Sequence, residues 1–262
     1  MKIVHIINSL KKGGAEGNLY RLSQFQKKKF KKKIDIIIVT LIDLGFYENQ
    51  LKKNGIKVYS LGFDKKLKIL KITKKIFKLR NFIINENPDI IQSWMYHSNF
   101  ISLFLPRIFY EKILWNIRHS ELNFKISKKK TILISIICGL FSKFVPKKII
   151  YCSEKSIEFH EKNYFYAKHK TILIDNGFDD KNYFESNHIS SNFRNKNKIN
   201  KSHIILGFAG RYAKQKNING LLIAFSRFSK RFKNVHLCMV GKNINSKNDE
   251  LNSIVLNLNI KD

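Results

Sequence analysis

Two cationic side chains near the end of the sequence follow a predicted strand and have the chemistry to hold a phosphate. The segment Gly207–Arg211 (GFAGR) closes an apolar run, and Lys216 precedes the next helical pattern. A strand that ends in this way brings a guanidinium to the carboxyl edge of a sheet, where open α/β sheets bind ligands. Arg211 and Lys216 are therefore candidates to stabilise a departing diphosphate, because arginine can grip a phosphate through two hydrogen bonds and lysine adds a point charge. A solvated basic loop is the alternative in so lysine-rich a chain.

A glycine pair, Gly13 and Gly14, lies between the first apolar run and a helical pattern. Glycines at the start of a helix let backbone N–H groups approach an anion at the positive end of the helix dipole. The pair matches neither the G-x-G-x-x-G fingerprint nor a P-loop, so a dinucleotide or ATP site has no support. A plain strand-to-helix turn is the alternative interpretation.

Histidine and arginine side chains follow two further strands of the predicted sheet. His97 comes shortly after the strand Asp89–Ser93, and Arg118 and His119 stand at the end of the strand Ile113–Arg118. A neutral histidine at this edge can hydrogen-bond a sugar hydroxyl, and Arg118 can meet a phosphate or carboxylate. A single histidine is more often structural, but two at one edge favour a functional role. The sequence has neither H-E-x-x-H nor a His/Cys cluster, which predicts no metal site.

Short apolar runs alternate with longer helical patterns along the chain, which predicts a parallel, doubly wound α/β sheet. The first domain is predicted over residues 1–178, followed by a polar, Asn- and Lys-rich linker over 179–202. Residues 203–262 hold two clear strands, which predicts an incomplete second domain. The predicted strands of the first domain are Ile3–Asn8, Ile34–Leu41, Lys57–Leu61, Asp89–Ser93, Ile113–Arg118, Ile149–Ser153 and Thr171–Ile174.

The composition favours an anionic partner. The 262 residues include 50 Lys and Arg against 19 Asp and Glu, a net charge of +31, and 44% are hydrophobic, enough for a core. Such a surface suits phosphate groups, acidic lipid or nucleic acid. The basic amphipathic segment Asp64–Arg80 can lie on anionic lipid or pack on the sheet. The chain has no recognised nucleic-acid-binding module, so no specific nucleic acid is expected. The sparse cysteines predict a cytoplasmic protein, with a peripheral position on the inner face of the membrane as a further expectation.

The motifs together resemble one enzyme family. Their order along the chain is similar to that of the family 4 (group 1) glycosyltransferases of the GT-B fold, and the central segments resemble the branch that builds bacterial O-antigen and other surface polysaccharides. The motifs are Gly13–Glu16 (GGAE), Gln92–Asn99 (QSWMYHSN), Trp115–Ser120 (WNIRHS), Cys152–Glu154 (CSE), Asn176–Asp179 (NGFD), Gly210-Arg211 with Lys216, and Val240-Gly241.

The resemblance implies two facing Rossmann-like domains, with the nucleotide-sugar bound mainly by the second. Transfer in this family is metal-independent, needs no cofactor and retains the anomeric configuration. The implied donor is a nucleotide-sugar such as a UDP- or GDP-hexose. The implied acceptor is a lipid-linked or polysaccharide substrate of lipopolysaccharide O-antigen or capsule synthesis.

The same resemblance assigns roles to individual residues. Arg211 and Lys216 fall on the positions that bind the donor diphosphate, and Gly13-Gly14 on the glycine-rich loop near the diphosphate and the acceptor. His97 matches a histidine near the transferred sugar, which makes it a catalytic candidate with Arg211 and Lys216. Asn176 and Gly177 match the Asn-Gly before the interdomain connection, and with Arg118 and His119 they are candidate substrate contacts.

Two departures from the family pattern bear on activity. Asp175 replaces the usual proline before Asn-Gly, a small change to the turn. The Glu-x7-Glu motif that contacts the donor sugar and ribose is absent, so a C-terminally truncated enzyme is expected. The alternative function is a non-catalytic remnant that binds acidic lipid or a partner.

Overall fold

A computed structural model of the chain describes residues 1–42, 44–63, 69–122, 127–178 and 187–260. It divides into two compact units, Met1–Phe178 and Asp179–Asp262. Three parts of the sequence interpretation lie outside the described residues: the start of the basic segment (64–68), the last residue of the NGFD motif (179) and the first part of the predicted linker (179–186).

The N-terminal unit is built on a parallel sheet of seven strands in the order β3-β2-β1-β4-β5-β6-β7. Each strand is a short run of mostly β-branched and aromatic residues, and in β1, β2 and β4 nearly every side chain is buried because helices cover both faces. The strands are β1 (Lys2–Ile7), β2 (Asp35–Thr40), β3 (Lys57–Ser60), β4 (Ile90–Trp94), β5 (Ile113–Ile117), β6 (Lys148–Tyr151) and β7 (Thr171–Leu173).

Two layers of helices flank this sheet. Leu19 and Leu51, from the first two helices, pack on one face, and Leu79, Cys138 and Tyr164, from later helices, pack on the other. The helices are α1 (Gly14–Phe30), α2 (Glu48–Lys53), α3 (Ile69–Glu86), α4 (Met95–Ser102), α5 (Lys129–Phe141) and α6 (Glu154–Tyr164).

The strand order reverses direction between β1 and β4, which lie side by side in parallel. Parallel sheets open a crevice at such a reversal, outside the carboxyl ends of the strands. The turn after β1 carries Gly13 and Gly14, and β4 runs directly into the helix that carries His97. The topology therefore puts the predicted site residues of this unit at one edge of the sheet.

The C-terminal unit contains a second parallel pair, β8 (Ile204–Ala209) and β9 (Val235–Val240). Helices α8 (Ile218–Arg231) and α9 (Asp249–Asn257) pack together through a small cluster that includes Leu222 and Leu251. The side chain of Asn217 caps α8 by accepting a hydrogen bond from the backbone N–H of Gly220.

The predicted strands agree with the observed ones to within a residue or two at each end. One difference is α1. Leu19, Leu22 and Phe25 at helical spacing predict a helix over Gly14–Phe25, but the observed helix continues to Phe30 through a lysine run with good helix propensity. Another is α7 (Asn187–Lys196), which occupies part of the predicted linker. Arg194 in α7 donates hydrogen bonds to the carbonyl oxygens of Asn200 and His203, which ties this helix to the start of β8. The domain boundaries stay a prediction.

None of the helices in the described residues combines the length and apolar character that crossing a bilayer requires.

Candidate functional site

The glycine turn after β1 brings a carboxylate to the start of α1. A Cβ at Gly13 would collide with the side-chain carboxylate of Glu16, whereas Gly14 has open space around it. Burial raises the pKa of Glu16, and a hydrogen bond from its own backbone N–H opposes that shift. The positive end of α1 thus already faces an acidic group. A phosphate bound at this turn would need Glu16 to turn away or to be protonated.

The guanidinium of Arg118 is the centre of a polar cluster at the carboxyl ends of β5 and β7. Its two terminal nitrogens donate to the Oδ1 atoms of Asn116 and Asn176, both at 2.9 Å. Asn18 of α1 donates to the same Asn176 oxygen at 2.7 Å. The guanidinium carbon also lies 5.3 Å from the centre of the Trp94 ring. Two amides and one indole therefore hold Arg118 in a fixed position.

A second arginine joins this cluster. Arg21, one turn after Asn18 on α1, donates to the side-chain oxygen of Asn18. The Nε atoms of Arg21 and Arg118 are buried and without a hydrogen-bond partner among the described residues. Burial lowers the pKa of Arg118, and a hydrogen bond with the thiol of Cys152 opposes this. Arginine side chains keep their positive charge in proteins, so the cluster can receive an anionic group.

His97 lies in the first turn of α4, directly after β4. The first residue of this helix, Met95, has a φ of 69°, a left-handed conformation that non-glycine residues rarely adopt. His97 is exposed at the surface, yet nearby atoms exclude enough water to lower its pKa, and the charge of Lys128 lowers it further. The neutral imidazole is therefore favoured at pH 7 and can both donate and accept a hydrogen bond.

The buried side chain of Tyr96 anchors the start of α4 to the core. Its hydroxyl lies 2.7 Å from Nε2 of the buried His160, and Nδ1 of His160 lies 2.6 Å from the carbonyl oxygen of Ser156. Because that carbonyl can only accept, Nδ1 carries the proton and the Tyr96 hydroxyl donates to Nε2. The predicted contact residue His119 stacks edge-on to Tyr96 with ring centres 6.0 Å apart. Tyr96 therefore links the neighbourhoods of His97 and His119.

In the C-terminal unit, Arg211 and Lys216 flank the glycine that ends β8. Both are exposed, and neither forms an ion pair with a described residue. Arg211 donates to Oε1 of Gln215 at 3.3 Å, and the Lys216 side chain passes 3.8 Å from where a Cβ on Gly210 would be. Two positive charges are thus available to a ligand at the carboxyl end of this strand.

The ends of β8 and β9 approach each other backbone to backbone. Gly241, with a φ of 153°, has no room for a side chain because a Cβ would strike the carbonyl of Gly210. Hydrogen bonds from Gly210 N to Val240 O and from Tyr212 N to Lys242 O, both 2.9 Å, continue the pairing past the strands. This contact fixes the backbone that carries Arg211.

The structure thus joins Arg118 and Asn176 directly and places Gly13, Gly14, His97 and His119 at the same edge of one sheet. Gly177 follows Asn176 with no atom close enough to exclude a side chain. His97 makes no hydrogen bond to the described members of the Arg118 cluster. Arg211 and Lys216 belong to the other unit.

Three residues of the Arg118 cluster were missed at the level of sequence: Asn18, Arg21 and Asn116. Asn18 and Arg21 are three positions apart on a helix that starts at Gly14, so helical spacing alone puts them on one face near the glycine turn. Asn116 precedes Arg118 by two residues in a strand, so both side chains point to the same face of the sheet.

No group of three or more His, Cys, Asp or Glu side chains that could hold a metal ion occurs among the described residues.

Comparisons with known proteins place this geometry in context. A family model described as "Glycosyl transferases group 1" matches residues 190–262, which include Arg211 and Lys216. A search of curated proteins finds no match.

Several solved structures share the fold. HepE from Anabaena in complex with UDP is 18% identical with a TM-score of 0.76, and the match covers 100% of this chain and 67% of that one. A glycosyltransferase from Rickettsia africae is 15% identical with a TM-score of 0.71, covering 100% and 66%. WaaG, a glycosyltransferase involved in lipopolysaccharide biosynthesis, is 10% identical with a TM-score of 0.69, covering 99% and 68%.

The chain therefore has the α/β fold of the GT-B glycosyltransferases, as its sequence predicted, and spans about two thirds of the length of these structures.

Proposed function

We propose that the protein is a glycosyltransferase that uses a nucleotide-sugar donor. The observation that carries this proposal is the pair of unpaired cations, Arg211 and Lys216, within the segment that matches the group 1 glycosyltransferase model. In the proposed arrangement, residues 203–262 belong to the donor-binding domain and residues 1–178 form the acceptor-side domain.

The chemistry needed from this pair is stabilisation of a leaving group. In transfer, the bond between the anomeric carbon and the diphosphate oxygen breaks while a bond to an acceptor hydroxyl oxygen forms, and negative charge grows on the diphosphate. Arg211 and Lys216 would neutralise that charge, which accounts for transfer without a metal ion. A UDP-hexose is the favoured donor because HepE, which has the same fold, was solved with UDP and with UDP-glucose.

The N-terminal unit would receive the sugar and the acceptor. His97, as a neutral imidazole, can hydrogen-bond a hydroxyl of the transferred hexose. The Arg118 cluster has two buried guanidinium Nε atoms without partners and suits an acceptor with an anionic group, such as a lipid-linked phosphate. We therefore propose a retaining hexosyltransferase of bacterial surface-glycan synthesis, of the O-antigen or capsule type. It would work in the cytoplasm at the anionic inner face of the membrane.

The test of this function is titration calorimetry with UDP and UDP-glucose. Arg211→Ala and Lys216→Ala are each expected to weaken binding about tenfold or more, since each removes a charged contact to the diphosphate. Lys214→Ala is the matched control, because Lys214 is an exposed lysine in the same short 3-10 helix as Lys216. Absence of nucleotide binding at millimolar concentration, or equal losses in all three variants, would contradict the proposal.

Transfer is tested separately, by release of UDP in the presence of membrane lipid extracts. Nucleotide binding without any UDP release would favour the alternative interpretation, a protein that binds lipid or a partner and transfers nothing.

A further inference from the structure

Helix α5 packs against α4 and α6 of the N-terminal unit, and most of the residues that it buries are small. The buried residues of α5 are one large apolar side chain, Ile132, and three small residues, Ser135, Cys138 and Gly139, and the buried Ser142 follows just past the helix end. A Cβ on Gly139 would collide with the carbonyl oxygen of Tyr164 at the end of α6, so the backbones of α5 and α6 are in close contact there. Ile134 and Ile136 pack against the same core from its edge, so only part of the apolar surface of α5 is used in folding.

Four other large apolar side chains, in α5 and directly after it, point to solvent. Leu133 is 58% exposed, Leu140 53%, Phe141 49% and Phe144, just past the helix end, 70%. Relative to the first, these positions are spaced at seven, eight and eleven residues, so they share one face of the helix. We refer to these four residues as the outer α5 stripe. A surface helix of a water-soluble domain ordinarily has the opposite polarity, with its apolar stripe on the core.

Lysines surround both ends of this stripe. Lys128, Lys129 and Lys130 lie at the start of α5, and Lys143, Lys147 and Lys148 follow its end. The sequence contains no Asp or Glu anywhere from residue 127 to residue 151. An apolar stripe between clusters of positive charge matches the layers of an anionic bilayer, with acyl chains beneath and phosphate headgroups above.

We propose that α5 is the membrane-docking surface of this protein, and that it lies in the plane of an anionic bilayer with the outer α5 stripe inserted among the acyl chains. At 13 residues the helix is about 20 Å long, too short to span a bilayer. A second copy of the chain fits less well, because a two-fold contact would bring these six lysines against six more. Nucleic acid as the partner would leave the apolar side chains of the outer α5 stripe in water.

The location differs from the one that the sequence suggested. The membrane prediction rested on the basic segment Asp64–Arg80, whose observed part, the start of α3, also has exposed apolar side chains: Leu70 at 76% and Phe77 at 62%. Ile83 and Leu79, however, are buried in the main core cluster, so α3 has the ordinary polarity of a surface helix. In α5, Ile132 has the same role in the core, but the four large side chains of the outer α5 stripe are all half exposed or nearly so.

The experiment is flotation of the full chain with phosphatidylcholine vesicles that contain phosphatidylglycerol. The variant Phe141→Ser with Phe144→Ser removes the aromatic part of the stripe and no charge. Partitioning is expected to fall about tenfold or more, because two large apolar side chains no longer enter the bilayer. Circular dichroism should be unchanged, since Phe141 is 49% exposed and Phe144 is 70% exposed.

Phe25→Ser is the matched control. Phe25 is 57% exposed on α1, has Lys29 5.4 Å from its ring centre, and lies in the helix layer on the other face of the sheet. Its loss should leave vesicle binding within about twofold of the original, since a residue outside the bilayer contributes no insertion energy. Equal losses from both variants would show that exposed aromatic side chains anywhere on the protein contribute alike, and would overturn the proposal.

Two other results would also overturn it. One is vesicle binding that the double variant leaves intact. The other is that the original chain does not bind vesicles but forms a dimer in analytical ultracentrifugation, and that the double variant is a monomer. The outer α5 stripe would then be an interface between two copies of the chain. The inference extends the membrane association proposed above. Vesicle binding does not require a nucleotide-sugar. The protein can therefore bind UDP without binding vesicles, or bind vesicles without binding UDP, and the two proposals can fail independently.

Discussion

The two parallel sheets of this chain consist of similarly apolar strands but differ in how they are covered. In β1 (KIVHII) five of six side chains are buried, whereas in β8 (IILGFA) Ile204 is 57% exposed and Leu206 is 39% exposed. The N-terminal sheet has helices on both faces, and the two-stranded sheet does not have equivalent cover among the described residues. Strand sequence therefore determines that a parallel pair forms, while the layers around it determine how much stability the pair gains.

The candidate ligand-binding residues differ in the same way. Arg118 is held by two amide oxygens at 2.9 Å and by the Trp94 ring, whereas Arg211 has one hydrogen bond of 3.3 Å to an exposed glutamine. The N-terminal cluster is thus arranged before any ligand arrives. The C-terminal pair keeps the freedom to close on one, at an additional cost in side-chain entropy.

The largest expected effect is a difference between the two sheets in how much stability a core substitution removes. Ile37→Ala, at a fully buried position of β2, should lower the free energy of unfolding of the N-terminal unit by about 3 kcal/mol, because it leaves a cavity. Leu206→Ala in β8 should cost less than about 1 kcal/mol, since its side chain is partly in water already. Both tryptophans, Trp94 and Trp115, belong to the N-terminal unit, so fluorescence in a urea titration reports that unit and circular dichroism reports both. Similar losses at the two positions would contradict the difference in cover.

Acid should lower the free energy of unfolding mainly in the N-terminal unit. Burial lowers the pKa of His160 to about 4 and that of His5 to about 3, from an ordinary 6.5, and both are fully buried there. Below pH 6.5 the unfolded chain takes up protons that the folded chain does not, so stability falls as the pH decreases towards 4. His160 alone should account for about 3 kcal/mol of this loss.

The measurement is the urea midpoint of tryptophan fluorescence between pH 7 and pH 4. His160→Gln keeps a polar side chain beside Tyr96 but cannot titrate, so its midpoint should change less steeply with pH. An equally steep dependence in that variant would show that other groups control the acid response.

The smallest expected effect compares one helix cap from each unit. Ser153 caps α6 and Asn217 caps α8, each by accepting from a backbone N–H at 3.3 Å. Ser153→Ala should cost about 1 kcal/mol, and Asn217→Ala somewhat more, because Asn217 also has a φ of 46° that alanine tolerates poorly. Asn217→Gly should recover most of the loss by relieving that strain. If it does not, the cap hydrogen bond and not the backbone conformation dominates.

Much of the fold could be predicted because its signals are local. Continuous apolar runs such as Asp35–Thr40, separated by helical spacing and glycine stops, determine a doubly wound sheet without any knowledge of contacts. The ends of the strands then indicated that His97, Arg118 and His119 lie at one edge, whereas Asn176 became a candidate only through the family resemblance. Helix α7 was missed because its Asn- and Lys-rich sequence has no apolar periodicity, and its bonds to the start of β8 come from tertiary structure.

The parts of the site that were not predicted depend on contacts between segments that are far apart in sequence. Asn18 and Asn176 are 158 positions apart, and nothing in either local sequence indicates that they share a hydrogen bond. The polarity of α5 was also hidden, because a helix that is apolar nearly all round does not show which side faces the sheet. Only the buried Gly139 and the exposed Phe144, seen together, reveal the orientation.

The close approach of Gly210 and Gly241 restricts how this protein can vary. Any side chain at position 241 would push the strand end that carries Arg211, so a change thirty residues downstream of the arginine alters its position as effectively as a change beside it. In a library of random variants, position 241 should tolerate almost nothing while the neighbouring Lys242 accepts many residues. Variants that keep Arg211 in position are therefore expected to keep Gly241 as well.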